Sequence, residues 1–284
     1  MDLFLLESGH GQAARKAFAE ATKLPKTRNG SDRQIVVIHG AVDTSCRSLI
    51  MGTIGLFFKT FWAPGEAMLV LSKKPRILLP LIIVGLLQLG VGLVSLSRLD
   101  FGAVVVKQIE RSPQGANMNE EQKQNLARVY RQLAPALVVF GAIAPALIVT
   151  VAAALYFGIF TVLGRQGGFK AFYAITLFAY IPLLIRQVAS VVQLLAVPAE
   201  QIDVNDLGSL SLAVFLDRTE VSKVVYALAG VVDLTSIWTV ILLIIGYKFV
   251  TTKGVGTGLR TVAVAVPYLI FSLILAGLRM LQTG

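Results

Sequence analysis

The chain has 284 residues, of which 55% are hydrophobic and only 15% are charged, and its mean hydropathy is +0.73. Soluble globular domains carry about 25% charged residues, so this composition excludes a soluble protein and indicates a polytopic membrane protein. The net charge of +10 is expected to face the cytoplasm and anionic lipid, and for a membrane protein it does not indicate nucleic-acid binding.

The first fifty residues differ from the rest of the chain in composition and hydrophobic pattern. They contain one amphipathic stretch, "GQAARKAFAEATK", a loop-like segment and a short strand-like segment, "QIVVIHGAV". A fragment of this size cannot bury a sizeable core by itself. Two interpretations stay open: residues 1–50 are a poorly structured cytoplasmic tail, or they are a mis-annotated extension ahead of a true start at Met51.

Residues 51–76 predict two short amphipathic helices at the cytoplasmic interface. Aromatic residues precede the break at Pro64 and Gly65, apolar residues follow it, and basic residues are expected to face water and lipid phosphates. The alternative is that these helices pack on the membrane domain as a plug.

Residues 77–284 predict an all-α bundle of five transmembrane helices. About 20 apolar residues cross a bilayer core of about 30 Å. Because none of the apolar stretches alternates with period two, each is expected to be a helix. The predicted spans are 77–97, 135–159, 171–197, 225–247 and 261–279.

The placement of Lys and Arg predicts the orientation. Basic residues precede the first span and follow the second and the fourth, whereas the connection 198–223 carries two basic residues and five acids. The positive-inside rule then places the N-terminus in the cytoplasm and the C-terminus outside. In the outside connection 98–134, an asparagine cap at Asn117 or Asn119 is expected to begin an amphipathic helix that leads into the second span.

Histidine and cysteine are absent from the predicted spans. Cys46 is the only cysteine, and the only histidines are His10 and His39. A disulfide framework, a catalytic Cys-His or Ser-His-Asp arrangement and a His-rich metal cluster are therefore excluded from the membrane domain. We expect a protein without enzymatic activity, cofactor or metal.

Small and polar residues share one face of the first span. Gly85, Gln88, Gly92 and Ser95 recur at intervals of three and four residues, which predicts close contact with another helix. Pro145 and Pro267 predict kinks in the second and fifth spans.

One arginine and one aspartate lie inside predicted spans. Arg186 in the third and Asp233 in the fourth are each expected about 12–17 Å from the outer ends of their helices. An isolated charge at the bilayer centre costs at least about 2.5–3.5 kcal/mol, so we predict that the two form an ion pair. Its role is either to set the register of the two helices or to form a substrate or proton site. The polar residues expected to support the pair are Gln88, Ser190, Gln193 and Ser236.

A family resemblance follows from four segments. These segments are "FFKTFWAPGEAM" with Pro64 and Gly65, "KKPRILLPLIIVGLL", "GGFKAFYAITLFAYIPLLI" with Tyr180 and Pro182, and "VVDLTSIWTVILLIIGYK" with Asp233 and Trp238. On these segments, residues from about 57 to 280 resemble a bacterial member of the Yip family, whose five-span proteins are named for interaction with Ypt/Rab GTPases.

The resemblance implies a non-enzymatic protein of the bacterial inner membrane. Its implied role is to organise the membrane or to bind other membrane proteins, including copies of itself. The Asp-Leu-Tyr-Gly-Pro-type segment of eukaryotic members is absent, which argues against GTPase binding. The alternative function is a small transporter or channel with a polar site near Arg186 and Asp233.

Overall fold

A computed structural model of the chain describes residues 50–110, 115–198, 202, 207–217 and 220–282. Residues 1–49, which contain the predicted tail and its strand-like segment, lie outside the described residues. The chain divides into two compact units between Trp62 and Ala63. In the first unit, helix α1 (Ile50–Trp62) carries Phe58 and Trp62 one turn apart, with ring centroids separated by 6.5 Å.

The second unit is all-α over its described residues. Two isolated β-bridges occur there, and no strand forms in the described part of the chain. Short 3-10 helices lie at Gly115–Asn117 and Leu212–Phe215. The α-helices are α2 (Pro64–Lys73), α3 (Leu78–Arg98), α4 (Phe101–Glu110), α5 (Glu120–Leu163), α6 (Phe169–Ala179), α7 (Leu183–Ala196), α8 (Lys223–Val231), α9 (Leu234–Tyr247) and α10 (Thr257–Gln282).

Within the described residues, four helical segments are long and apolar enough to cross a membrane. They correspond to the first, second, third and fifth predicted spans. The prediction of one continuous fourth helix over 225–247 is wrong, because the chain divides there into α8 and α9. The four segments are Leu78–Arg98, Glu120–Leu163, Phe169–Ala196 and Thr257–Leu278.

The start of α5 follows one of the two predicted caps. Asn119 Oδ1 accepts from the Gln122 backbone N–H at 2.8 Å, and Gln122 Oε1 accepts from the Asn119 N–H at 3.0 Å. This reciprocal capping box satisfies two backbone donors that the first helical turn leaves free. The helix then runs for 44 residues through Pro135 and Pro145, so the amphipathic segment and the second span are one element.

The connection 98–134 contains a helix, α4, that the sequence pattern did not predict. Asp100 begins it, because its Oδ1 accepts from the backbone N–H groups of Gly102 at 2.9 Å and Ala103 at 3.3 Å. Arg131 of α5 also donates to Asp100 through Nε at 2.9 Å and Nη2 at 2.7 Å. Hydrogen bonding from Arg131 lowers the pKa of Asp100 to about 2, so the carboxylate ties α4 to α5 at neutral pH.

The predicted small-residue face of α3 is confirmed as a helix contact. A Cβ on Gly92 would lie 2.5 Å from Val138 Cγ1, and one on Gly85 would lie 3.4 Å from the Ala142 carbonyl oxygen. Both neighbours belong to α5. The glycines therefore let the backbones of α3 and α5 approach closely, as small residues do in lipid.

Helix α2 packs on the bundle through its apolar side. It begins at Pro64, a position where a missing backbone N–H costs little. Met68 and Leu71 are fully buried, and a Cβ on Gly246 of α9 would lie 3.2 Å from Met68 Sδ. The apolar side of α2 therefore contacts α9 within the second unit.

Aromatic side chains form the core that holds α9. The ring centroid of Tyr247 lies 5.3 Å from those of Tyr156 and Phe160 on α5, and 5.1 Å from that of Phe172 on α6. The Tyr247 hydroxyl is 2.8 Å from Thr176 Oγ1. Because Tyr247 is fully buried, this hydrogen bond satisfies a polar group that lipid and protein would otherwise leave unpaired.

Candidate functional site

The candidate site is the break between α8 and α9. The backbone of Asp233 is extended, with φ −117° and ψ 132°, and Oδ1 accepts from the N–H groups of Thr235 at 2.9 Å and Ser236 at 3.1 Å. The Thr235 hydroxyl donates to the same oxygen. Asp233 is therefore the N-cap of α9, where a negative charge also complements the helix dipole.

A remote segment of the chain fills this break. The Leu212 N–H donates to the Val232 carbonyl at 3.0 Å, and the Leu234 N–H donates to the Leu210 carbonyl at 3.4 Å. Between these bonds Ser211 and Asp233 form an isolated antiparallel bridge. Unpaired backbone groups in lipid cost several kcal/mol, so residues 210–212 supply partners that a continuous helix would have found within itself.

Gly208 places this segment against α7. Its φ is +65°, and a Cβ there would lie 2.1 Å from Ser190 Oγ and 2.3 Å from the Arg186 carbonyl oxygen. Its N–H donates to Gln193 Oε1 at 3.0 Å. Only glycine meets both the left-handed conformation and the close approach, so this residue positions the segment that closes the break.

Arg186 and Asp233 lie together at the break. The distance from Arg186 Nε to Asp233 Oδ2 is 4.0 Å, which is longer than a hydrogen bond, so the contact is electrostatic. The side chain of Asp233 is 3% exposed and that of Arg186 is 32% exposed. Asp233 Oδ2 is buried and has no hydrogen-bond partner within the described part of the chain.

A turn in the third span brings Arg186 to this position. Helix α6 ends at Ala179, and α7 begins after Pro182, which occupies its N-cap position. In the turn, the Ile181 N–H donates to the Phe178 carbonyl at 3.2 Å and the Leu183 N–H donates to the Tyr180 carbonyl at 3.1 Å. Arg186 therefore lies in the first turns of α7.

The predicted supporting residues have separate roles. Ser190 Oγ donates to the Arg186 carbonyl at 2.8 Å. Gln193 Oε1 accepts from the Gly208 N–H, and the Ser236 backbone N–H donates to the capping oxygen of Asp233. Gln88 forms no contact with the Arg186–Asp233 pair. It lines a cavity with Gln187 and Ser190, and it forms no hydrogen bond with any described residue.

Sequence reasoning missed two features of the site. Tyr268 of α10 lies beside Ser236, and nothing in the spacing of its own helix indicates this. The pairing of residues 210–212 with the break also has no local signal. The Trp238 indole N–H is buried and has no partner within the described ranges.

The helices and the buried pair define a multi-pass α-helical membrane protein whose fourth apolar segment is interrupted. The family model described as the Yip1 domain matches residues 58–278. The chain therefore belongs to the Yip1 domain family. Comparisons with curated proteins and with solved structures found no match.

Proposed function

We propose that this Yip1-domain protein is a non-enzymatic scaffold that organises the membrane or binds other membrane proteins, including copies of itself. The observation that supports this proposal is that the buried carboxylate of Asp233 contacts other groups of the same chain. Asp233 Oδ1 caps α9, while Oδ2 faces Arg186. A carboxylate committed to a helix cap and to a fixed cation is a structural group, because both of its oxygens already serve the fold.

The proposed interaction surface is the first described helix. Phe58 is 58% exposed and Trp62 is 69% exposed on α1. Exposed aromatic side chains are typical of membrane interfaces and of protein interfaces. This proposal keeps residues 51–76 on the cytoplasmic side, and it needs no GTPase as the partner.

Affinity capture tests the scaffold. We expect a tagged full-length protein to co-purify from native membranes with a differently tagged copy or with a reproducible set of membrane proteins, and the double variant Phe58→Ser, Trp62→Ser to lose them. The matched control is Phe215→Ser, since Phe215 is also apolar and is 84% exposed but lies on a different segment. Equal capture by the wild type and the double variant would contradict an interaction surface on α1.

A small transporter or channel is the second candidate, and the interrupted fourth segment favours it. Discontinuous helices in transporters place charged groups and free backbone near the substrate. Here Val232 is exposed at the break, and the Asp233 Oδ2 atom lacks a hydrogen-bond partner within the described residues.

Thiol labelling separates the two candidates. In a Cys46→Ser background, cysteines at Val232 and Ser236 are treated with a membrane-impermeant thiol reagent. The scaffold predicts that both stay as unreactive as the control Ile270→Cys, a residue 53% exposed on a predicted span. Labelling of either position, above that control and from one side of the membrane, would support the transporter.

We also propose a cytoplasmic N-terminus and an outside C-terminus in a bacterial inner membrane. Five crossings put the termini on opposite sides, whereas crossings by only the four long apolar segments would put them on the same side. We expect a C-terminal tag to be accessible from outside in intact cells, and a cysteine replacing Lys253 to be labelled only after permeabilisation. A C-terminal tag that is protected until permeabilisation would show that α8 and α9 do not cross the membrane.

A further inference from the structure

A second polar feature lies away from the ion pair, in a partly open cavity of about 280 Å³ between α3, α5 and α7. Its polar lining residues are Gln88 and Ser95 on α3 and Gln187 and Ser190 on α7. Gln88 lies near the middle of α3, about 15 Å from its end at Arg98. Ser95 lies close to that end. The polar lining therefore extends from the outer end of the helix towards its centre.

The amides in this cavity lack partners. Gln88 and Gln187 form no hydrogen bond with any other described residue. An unpaired amide in an apolar medium costs about 2–7 kcal/mol, and within a membrane only the protein, a ligand or trapped water can reduce this cost. The lining combines these amides with apolar side chains such as Val91 and Leu137, so an occupant with both polar and apolar parts would match it.

The lining of the cavity selects for an uncharged occupant. No charged side chain lines it among the described residues. Arg98, at the end of α3, donates instead to the carbonyls of Leu194 at 3.0 Å and Val197 at 3.4 Å. A phosphate at this depth would be desolvated without a cation to compensate it. Hydroxyl and ester groups would meet amide donors and acceptors, and acyl chains would meet the apolar part of the lining.

We propose that this cavity binds the glycerol portion of a neutral lipid with a free hydroxyl, of which diacylglycerol is the simplest. Gln88 and Gln187 hydrogen-bond the hydroxyl and ester oxygens, and the acyl chains remain in the bilayer. Neither Arg186 nor Asp233 lines the cavity, so the proposal stands whether the protein is a scaffold or a transporter.

A cavity-filling substitution tests the proposal. Gly141 lines the cavity, and a Cβ there would meet nothing within 4 Å, so Gly141→Leu fills the space without disturbing the helix contacts. The matched control is Gly158→Leu on the same helix, where a Cβ also meets nothing within 4 Å and which does not line the cavity. A second variant, Gln88→Leu with Gln187→Leu, keeps the volume and removes the amides.

The probe is a photoreactive diacylglycerol in nanodiscs that also contain phosphatidylethanolamine and phosphatidylglycerol. We expect cross-links on α3, α5 or α7 that fall about tenfold in Gly141→Leu. In the double glutamine variant they should fall about thirtyfold, since two hydrogen bonds at about 1 kcal/mol each are lost. The Gly158→Leu control should cross-link like the wild type. Unchanged cross-linking in Gly141→Leu, or preferential cross-linking of a photoreactive phospholipid at the same residues, would overturn the proposal. Gly141→Ala, which narrows the cavity with a smaller side chain, should give an intermediate loss if Gly141→Leu does not fold.

Discussion

Replacing Asp233 by alanine is expected to destabilise the protein by about 3–5 kcal/mol, measured as the free energy of unfolding in bicelles. The substitution leaves the partly buried Arg186 without its counter-charge, which is the costly way to break a buried ion pair. It also removes the N-cap of α9, whose loss costs about 1 kcal/mol. Two contributions are therefore combined in this one substitution, because Oδ1 and Oδ2 serve different partners.

Asparagine separates the two contributions. Asp233→Asn keeps an oxygen that can cap α9 and removes only the charge, so it should destabilise the protein less than alanine. Adding Arg186→Met to Asp233→Asn should recover much of the loss, because no unpaired charge remains. A double variant that is as unstable as Asp233→Asn would show that the two residues do not act as a pair.

Replacing Gly208 by alanine is expected to cost about 2–6 kcal/mol and to open the break between α8 and α9. A residue other than glycine at positive φ costs about 1–3 kcal/mol, and overpacking adds about 1–3 kcal/mol. The added Cβ would meet the Arg186 carbonyl oxygen at 2.3 Å and Ser190 Oγ at 2.1 Å, and a helix carbonyl has little freedom to move. Hydrogen exchange at the Leu212 and Leu234 amides should increase, since both donate across the break.

The control for this prediction is Gly230→Ala. Gly230 lies in α8 next to the same break, its φ is not positive, and a Cβ there would meet nothing within 4 Å. Alanine is favoured over glycine in a helix by about 1 kcal/mol, so this variant should be as stable as the wild type or slightly more stable. Equal destabilisation by both substitutions would contradict the role assigned to Gly208.

Local chemistry made several features of the site predictable. Because burying a charge in lipid is costly, Arg186 and Asp233 were each expected to have a partner. Their similar depths in the third and fourth segments predicted that they pair with each other. The aspartate was recognised only as a charge, however. Its second role as the cap of α9 depends on ending a helix inside an apolar run, and an apolar run alone does not indicate where its backbone stops being helical.

The sequence by itself determined the membrane class, the all-α fold, four of the apolar segments and the small-residue contact of α3. These follow from the cost of unpaired backbone in lipid and from the spacing of residues on a helix face. Tertiary structure alone decided that the fourth segment is interrupted. The break is stable because residues 210–212, from the preceding connection, pair with its backbone, and because Gly208 fits closely against α7. Such pairing joins residues that are remote in the chain, so no local pattern encodes it.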